Sequence, residues 1–222
     1  MQSSEKASSK AIQEIAEKVK KVFEGEGTGH DWWHIQRVRN TAMKIAQSEG
    51  VDLVVVELGA LLHDLADHKL HGGNVEAGIA KGKMWLKDGG FSEQVTREVL
   101  VIMKHISYKG SEVADYPLSR AGEVVRDADR LDAMGAIGIA RTFAYGGNRN
   151  RLIYDPEVRP EEHHNFEKYK ASTAPTINHF YEKLLLLKDR MQTETGRKLA
   201  GARHQYMEQF LNQFYDEWEG RC

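Results

Sequence analysis

Apolar residues recur at three- and four-residue spacing along most of this chain, and the runs are punctuated by glycines and by residues suited to capping a helix. Ile12, Ile15, Ala16, Val19, Val22 and Phe23 form one stripe, stopped by the tract Gly25-Glu26-Gly27-Thr28-Gly29. Asp31 stands where an N-cap is needed for a second stripe of Ile35, Val38, Ala42 and Ile45, which Gly50 ends. Asp52 caps a third with Leu58, Leu61, Leu62 and Leu65 on its buried side. Val51–Val56 is β-prone, but the cap and the leucine spacing favour helix. After Gly72-Gly73 a helix covers Val75–Lys87 and stops at Gly89-Gly90. Ser92 caps the next, which carries Val95, Val99, Ile102 and Ile106 as far as Gly110. Beyond Pro117, Ser119 opens a helix through Val124, Val125 and Leu131, and another covers Ala136–Tyr145. The fold class this predicts is all-α.

From Gly146 to Pro175 the pattern lapses. Gly146-Gly147, three of the four prolines and dense charge read as a long irregular loop, and loops of that length are usually functional or mobile. Two helices close the chain, over about 176–190 and 193–219, with Thr195-Gly196 either between them or within the first turn of the second. Leu184, Leu187, Met191, Phe210, Leu211, Phe214 and Trp218 form a packing stripe. The length of 222 residues suits one domain, 1–222, with its core at about 25–145.

A formal charge of -2 gives no electrostatic reason to expect nucleic acid, and basic runs such as Lys18-Val19-Lys20-Lys21 read as solvated helix faces. The one cysteine, Cys222, excludes an internal disulfide and a cysteine zinc cluster, and fits a reducing compartment. A polar start without a signal-like apolar stretch, and no run long enough to span a bilayer, predict a cytoplasmic protein away from membranes.

Against this helical background four residues carry chemistry: His34, the adjacent His63-Asp64, and Asp129. Two imidazoles and two carboxylates from three helical stretches make a mixed nitrogen and oxygen ligand set for a divalent metal. Each member has a plainer reading. His63-Asp64, among leucines, is also compatible with a buried hydrogen-bonded pair, or with an aspartate paired to a distant arginine. Asp129, in Arg126-Asp127-Ala128-Asp129-Arg130-Leu131-Asp132, is also compatible with a surface ladder of alternating charge.

The series His34, His63-Asp64, Asp129 on successive helices resembles the HD superfamily of metal-dependent phosphohydrolases. The contexts His34-Ile35-Gln36-Arg37-Val38, Leu61-Leu62-His63-Asp64-Leu65, Lys104-His105-Ile106-Ser107 and Asp127-Ala128-Asp129-Arg130-Leu131-Asp132-Ala133 are similar to a bacterial branch of it, the YpgQ-type nucleotide pyrophosphohydrolases. Gly135-Ala136-Ile137-Gly138-Ile139-Ala140-Arg141 continues the likeness, which covers about residues 25–215. It implies an HD-type helical bundle in which His34, His63, Asp64 and Asp129 hold one metal, Mn²⁺ first and Mg²⁺, Co²⁺, Ni²⁺, Fe²⁺ or Zn²⁺ as alternatives. Two-metal relatives generally add further histidines, often including a consecutive pair, between the His-Asp dyad and the last aspartate, whereas here that interval has His68, His71 and His105 but no such pair.

The implied reaction is hydrolysis of a (deoxy)nucleoside triphosphate to monophosphate and pyrophosphate by metal-activated water. A nucleotide phosphomonoesterase, a cyclic-nucleotide phosphodiesterase and a non-catalytic nucleotide-binding module are the alternatives. Asp67, one turn beyond His63-Asp64 and so on the same side of the helix, is the candidate catalytic base, with a partner in Lys69 or in solvent as its plainer reading. His105 is the second catalytic candidate, donating to phosphate or to a leaving oxygen, or else it stabilises the end of its helix. Lys104, Lys109, Arg130 and Lys183 are candidate phosphate-binding cations. The expected partner is a phosphorylated small molecule, with a homodimer compatible.

Overall fold

The computed structural model describes residues 2–25, 31–67, 74–108, 113–161 and 173–222. The described residues are all-α, with no strand among them. None of their helices is long and apolar enough to cross a membrane. They fall into two compact units, Met1–Ser107 with Asp115–Ala128, and Tyr108–Ala114 with Asp129–Cys222.

In the first unit, α1 (Gln2–Phe23) buries Ile12, Ile15, Ala16, Val19 and Phe23. Asp31 caps α2 (Trp32–Glu49) by accepting from the His34 N–H at 2.8 Å. The left-handed Gly50, at φ 66°, closes the same helix, a conformation in which glycine lacks the Cβ clash. The Asp52 carboxylate caps α3 (Leu53–Leu62) through the N–H groups of Val54 and Val55. α3 is apolar almost all round and packs on α1, α2 and α5, as a helix at the centre of a bundle should. Asn74 caps α4 (Val75–Asp88) and Ser92 caps α5 (Glu93–His105). α5 stops five residues short of Gly110; its closing bond is Ile106 N–H to the Ile102 carbonyl. α6 (Arg120–Asp132) opens at Ser119, whose hydroxyl accepts from Gly122 N–H. Side chains from three helices meet at Gly59 of α3, where an added Cβ would lie 3.2 Å from Ile102 of α5 and from Val125 of α6.

The end of α3 differs from the sequence expectation. The α-helix stops at Leu62, and His63–Ala66 is a single 3₁₀ turn. Asp67 follows in extended backbone (φ -64°, ψ 138°), its N–H bonded to the Asp64 carbonyl at 2.9 Å. Asp67 is therefore not on the continued α-helical face expected for it. The cause lies in α4: a Cβ on Gly78 would sit 2.1 Å from the Leu65 carbonyl oxygen and 2.7 Å from Ala66 Cα. The helix thus lies directly on the backbone of the 3₁₀ turn, a contact only glycine permits.

The tract Arg126–Asp132 is not a surface ladder. Arg126 and Asp127 are 0% exposed, and Arg130 and Asp132 are 3% and 4% exposed. One Arg126 nitrogen donates to the carbonyls of His105 and Tyr116, both at 2.9 Å.

In the second unit, Arg141 pairs with Asp132 at 2.8 Å, and Arg203 donates to the Leu131 carbonyl. Burial holds the Arg203 guanidinium below its usual range, partly offset by the nearby Asp132. α7 (Gly135–Asn148) runs three residues further than expected. The irregular chain after it is pinned where the Leu152 and Ile153 carbonyls accept from Thr176 and Ile177 N–H. Positions 162–172 of the expected loop lie outside the described residues. The helix expected over 176–190 is two pieces, α8 (Asn178–Glu182) and a 3₁₀ helix (Leu184–Arg190), because Lys183 leaves helical backbone at φ -146°. Thr193 caps α9 (Glu194–Trp218) by accepting from Gly196 N–H, so Thr195-Gly196 sits inside the first turn. Leu184, Leu187, Met191 and Leu211 are buried, and Phe210 stacks on Phe180.

Gly78→Ala is expected to destabilise the protein by about 1–3 kcal/mol, the cost of overpacking against backbone. Gly147→Ala, whose Cβ would meet nothing within 4 Å, should leave stability unchanged or raise it. Urea unfolding followed by circular dichroism compares the two.

Candidate metal centre

His34 is the third residue of α2, and the Asp31 cap fixes its backbone N–H. His63 and Asp64 are the first two residues of the 3₁₀ turn. All three are buried, at 0%, 2% and 8% exposed. The two imidazole Nε2 atoms lie 3.2 Å apart. Asp64 reaches both rings, one carboxylate oxygen 3.3 Å from His34 Nε2 and the other 3.3 Å from His63 Nε2.

The proton on His63 follows from its other nitrogen. Nδ1 is 2.8 Å from the Ala60 carbonyl, and a carbonyl only accepts, so Nδ1 carries hydrogen. In the neutral ring Nε2 then presents a lone pair towards the Asp64 carboxylate and the His34 nitrogen. A proton on His34 Nε2 relieves the contact between the rings but leaves the His63 lone pair facing a carboxylate. A cation relieves both contacts. Donors bonded to one metal at about 2.0–2.2 Å and at right angles are about 3 Å apart, close to the spacings seen. The donor set fits a divalent ion.

Asp129 lies on α6. It is half-buried, and ligand atoms of His34, His63 and Asp129 all lie within 4.8 Å of one another. Of the four residues singled out by spacing, His34, His63 and Asp64 are in direct contact.

The remaining candidates fall elsewhere in the description. Asp67 is tied to the cluster through its bond to the Asp64 carbonyl and is half-buried. His105 ends α5; its ring stacks on Tyr116 with centroids 3.8 Å apart and planes at 12°. Lys104 is exposed. Arg130 donates one guanidinium nitrogen to the Arg190 carbonyl at 2.6 Å, and the Lys183 ammonium lies 5.2 Å over the Tyr108 ring. Lys109 lies outside the described residues, as do His68, Lys69 and His71.

Sequence reasoning missed Arg126 and Gly78. Nothing in the alternating charges marks Arg126 as the buried member, and Gly78 reads as one more helical glycine.

The HD domain family matches residues 32–134, a stretch containing all four clustered residues. YpgQ of Bacillus subtilis is 36% identical over 212 residues, 95% of each chain. The crystal structure of YpgQ in complex with ADP superposes with a TM-score of 0.77 at 34% identity, over 95% of this chain and 96% of that one. An HD-superfamily hydrolase of Bacillus thuringiensis gives 0.75 at 42% identity, over 96% and 98%. A Lactobacillus plantarum protein gives 0.84 at 35%, over 95% and 98%. Sequence and fold agree along nearly the full length of these relatives, and the chain belongs to the HD domain family.

Proposed function

We propose that the protein is a metal-dependent phosphohydrolase that converts (deoxy)nucleoside triphosphates to monophosphate and pyrophosphate. The observation that carries the reading is the buried knot of His34, His63 and Asp64, with donor atoms 3.2–3.3 Å apart and Asp129 beside it. The ADP bound by YpgQ supports a nucleotide as the class of substrate. His34, His63, Asp64 and Asp129 are the proposed ligands of a single ion, Mn²⁺ by preference.

When bound, such an ion supplies Lewis-acid polarisation of phosphate oxygens and favours the ionised form of water at neutral pH. The chain's own residues do the rest. Asp67, held to the Asp64 carbonyl by its backbone, takes a proton from the attacking water. The water oxygen bonds to the α-phosphorus while the bond from that phosphorus to the α–β bridging oxygen breaks. The bridging oxygen departs with pyrophosphate, and His105 donates a hydrogen bond or a proton to it. Lys104, Lys109, Arg130 and Lys183 offset the phosphate charge that two ligand carboxylates would otherwise repel. The hydrogen bond from Arg130 to the Arg190 carbonyl steadies its guanidinium for that task.

Two experiments test this reading. With Mn²⁺ and a nucleotide panel, chromatography should find monophosphate and pyrophosphate in equal amounts. Orthophosphate from monophosphates alone, or opening of a cyclic nucleotide, would replace the reading with a phosphomonoesterase or a phosphodiesterase. Asp67→Ala is expected to keep metal and lose about a hundredfold or more in turnover, the scale of a general base.

Metal binding is the second test, followed by titration calorimetry with Mn²⁺. Asp64→Ala should abolish binding. Asp31→Ala should cost about 1 kcal/mol of stability through the lost cap and weaken Mn²⁺ binding by loosening His34. Unchanged Mn²⁺ affinity in Asp64→Ala would remove that residue from the ligand set.

A further inference from the structure

His105 and Tyr116 are held to each other at two levels. Their rings lie face to face with centroids 3.8 Å apart and planes within 12° of parallel, closer than the usual 4.5–7 Å range of aromatic pairs. Their backbone carbonyls accept from the same Arg126 nitrogen, each at 2.9 Å. Arg126 is fully buried and lies on α6, which Gly122 seats against Ile102, one turn before His105 on α5. The guanidinium therefore fixes where both residues leave the core. The stack then fixes the plane of the imidazole, because rotating that ring about χ2 drives its edge into the tyrosine face.

A stack that served only the core would be buried. Tyr116 is instead 47% exposed, so its ring covers one face of the imidazole from the solvent side. An imidazole that donates to a phosphate or to a leaving oxygen must have its N–H direction set in advance, and misplacement by about 1 Å costs about a hundredfold in rate.

We propose that Tyr116 is a positioning residue that acts through His105, setting the direction of the imidazole towards substrate phosphate. The proposal rests on the hydrolase reading given above. It assigns Tyr116 no contact with the reacting atoms.

The test is a double-mutant cycle on the full chain with Mn²⁺ and nucleoside triphosphate. Tyr116→Ala is expected to lower kcat about tenfold with KM within about twofold, and Tyr116→Phe, which keeps the ring, to restore it. In a His105→Ala background, Tyr116→Ala should add no further loss. Undiminished kcat in Tyr116→Ala would overturn the proposal, as would a loss that is additive with His105→Ala, since either means that the tyrosine does not act through the histidine. A wild-type protein that binds triphosphates but leaves them intact instead removes the pyrophosphohydrolase reading. In that case the proposal is judged by the His105 ring resonances in ¹H–¹³C spectra, titrated with Mg²⁺ and an α,β-methylene triphosphate. The ligand should move them in wild type and in Tyr116→Phe but not in Tyr116→Ala. Equal responses in all three proteins would overturn it.

Discussion

The contact on which the candidate centre depends is the meeting of two imidazoles and one carboxylate at a single buried point. His63 has its proton fixed on Nδ1 by the Ala60 carbonyl, so Nε2 brings a lone pair within 3.3 Å of a carboxylate oxygen and 3.2 Å of a second imidazole. Burial removes the water that would screen these groups from one another, so their mutual contacts decide the energetics of the cluster. The surrounding fold supplies the rigidity that keeps the donors together. Asp31 anchors the first turn of α2, the 3₁₀ turn tightens around His63-Asp64, and α4 presses on that turn through Gly78. The packing of these elements thus keeps the donors together without relying on their own contacts.

Much of this was legible in the sequence because local chemistry decides it. Asp31, Asp52, Ser92 and Thr193 each cap the helix they precede, and Gly50 ends α2 in the left-handed region. These are short-range effects, complete within one turn. The four clustered residues were legible for a different reason. None is distinctive alone, but two histidines and two aspartates from three apolar-faced stretches leave few arrangements that bring them together.

What escaped the sequence is set by distant packing. The change from α-helix to 3₁₀ after Leu62 is one step of hydrogen-bond register, from the fourth carbonyl back to the third. No residue between His63 and Asp67 demands that step; the demand comes from Gly78, about a dozen positions on, which lets α4 approach the Leu65 carbonyl. Arg126 is harder still. Alternating Arg and Asp signal exposure in most helices, and the inversion here follows from two carbonyls, on His105 and Tyr116, that need a donor beneath the surface. The last residue of a helix leaves its carbonyl without an intrahelical partner, so the end of α5 creates the need that Arg126 meets.

That pairing gives α6 two tasks on one short stretch. Arg126 and Asp129 are three residues apart and so share a side of the helix. The first fixes the departure point of the chain after α5, and the second approaches the imidazoles of α2 and the 3₁₀ turn. A rotation of α6 about its axis would move both at once, whereas independent loops would let them drift apart. The hydrogen-bond ladder of the helix gives the two residues one common frame, so what fixes Arg126 beneath the two carbonyls also limits how far Asp129 can turn about the helix axis.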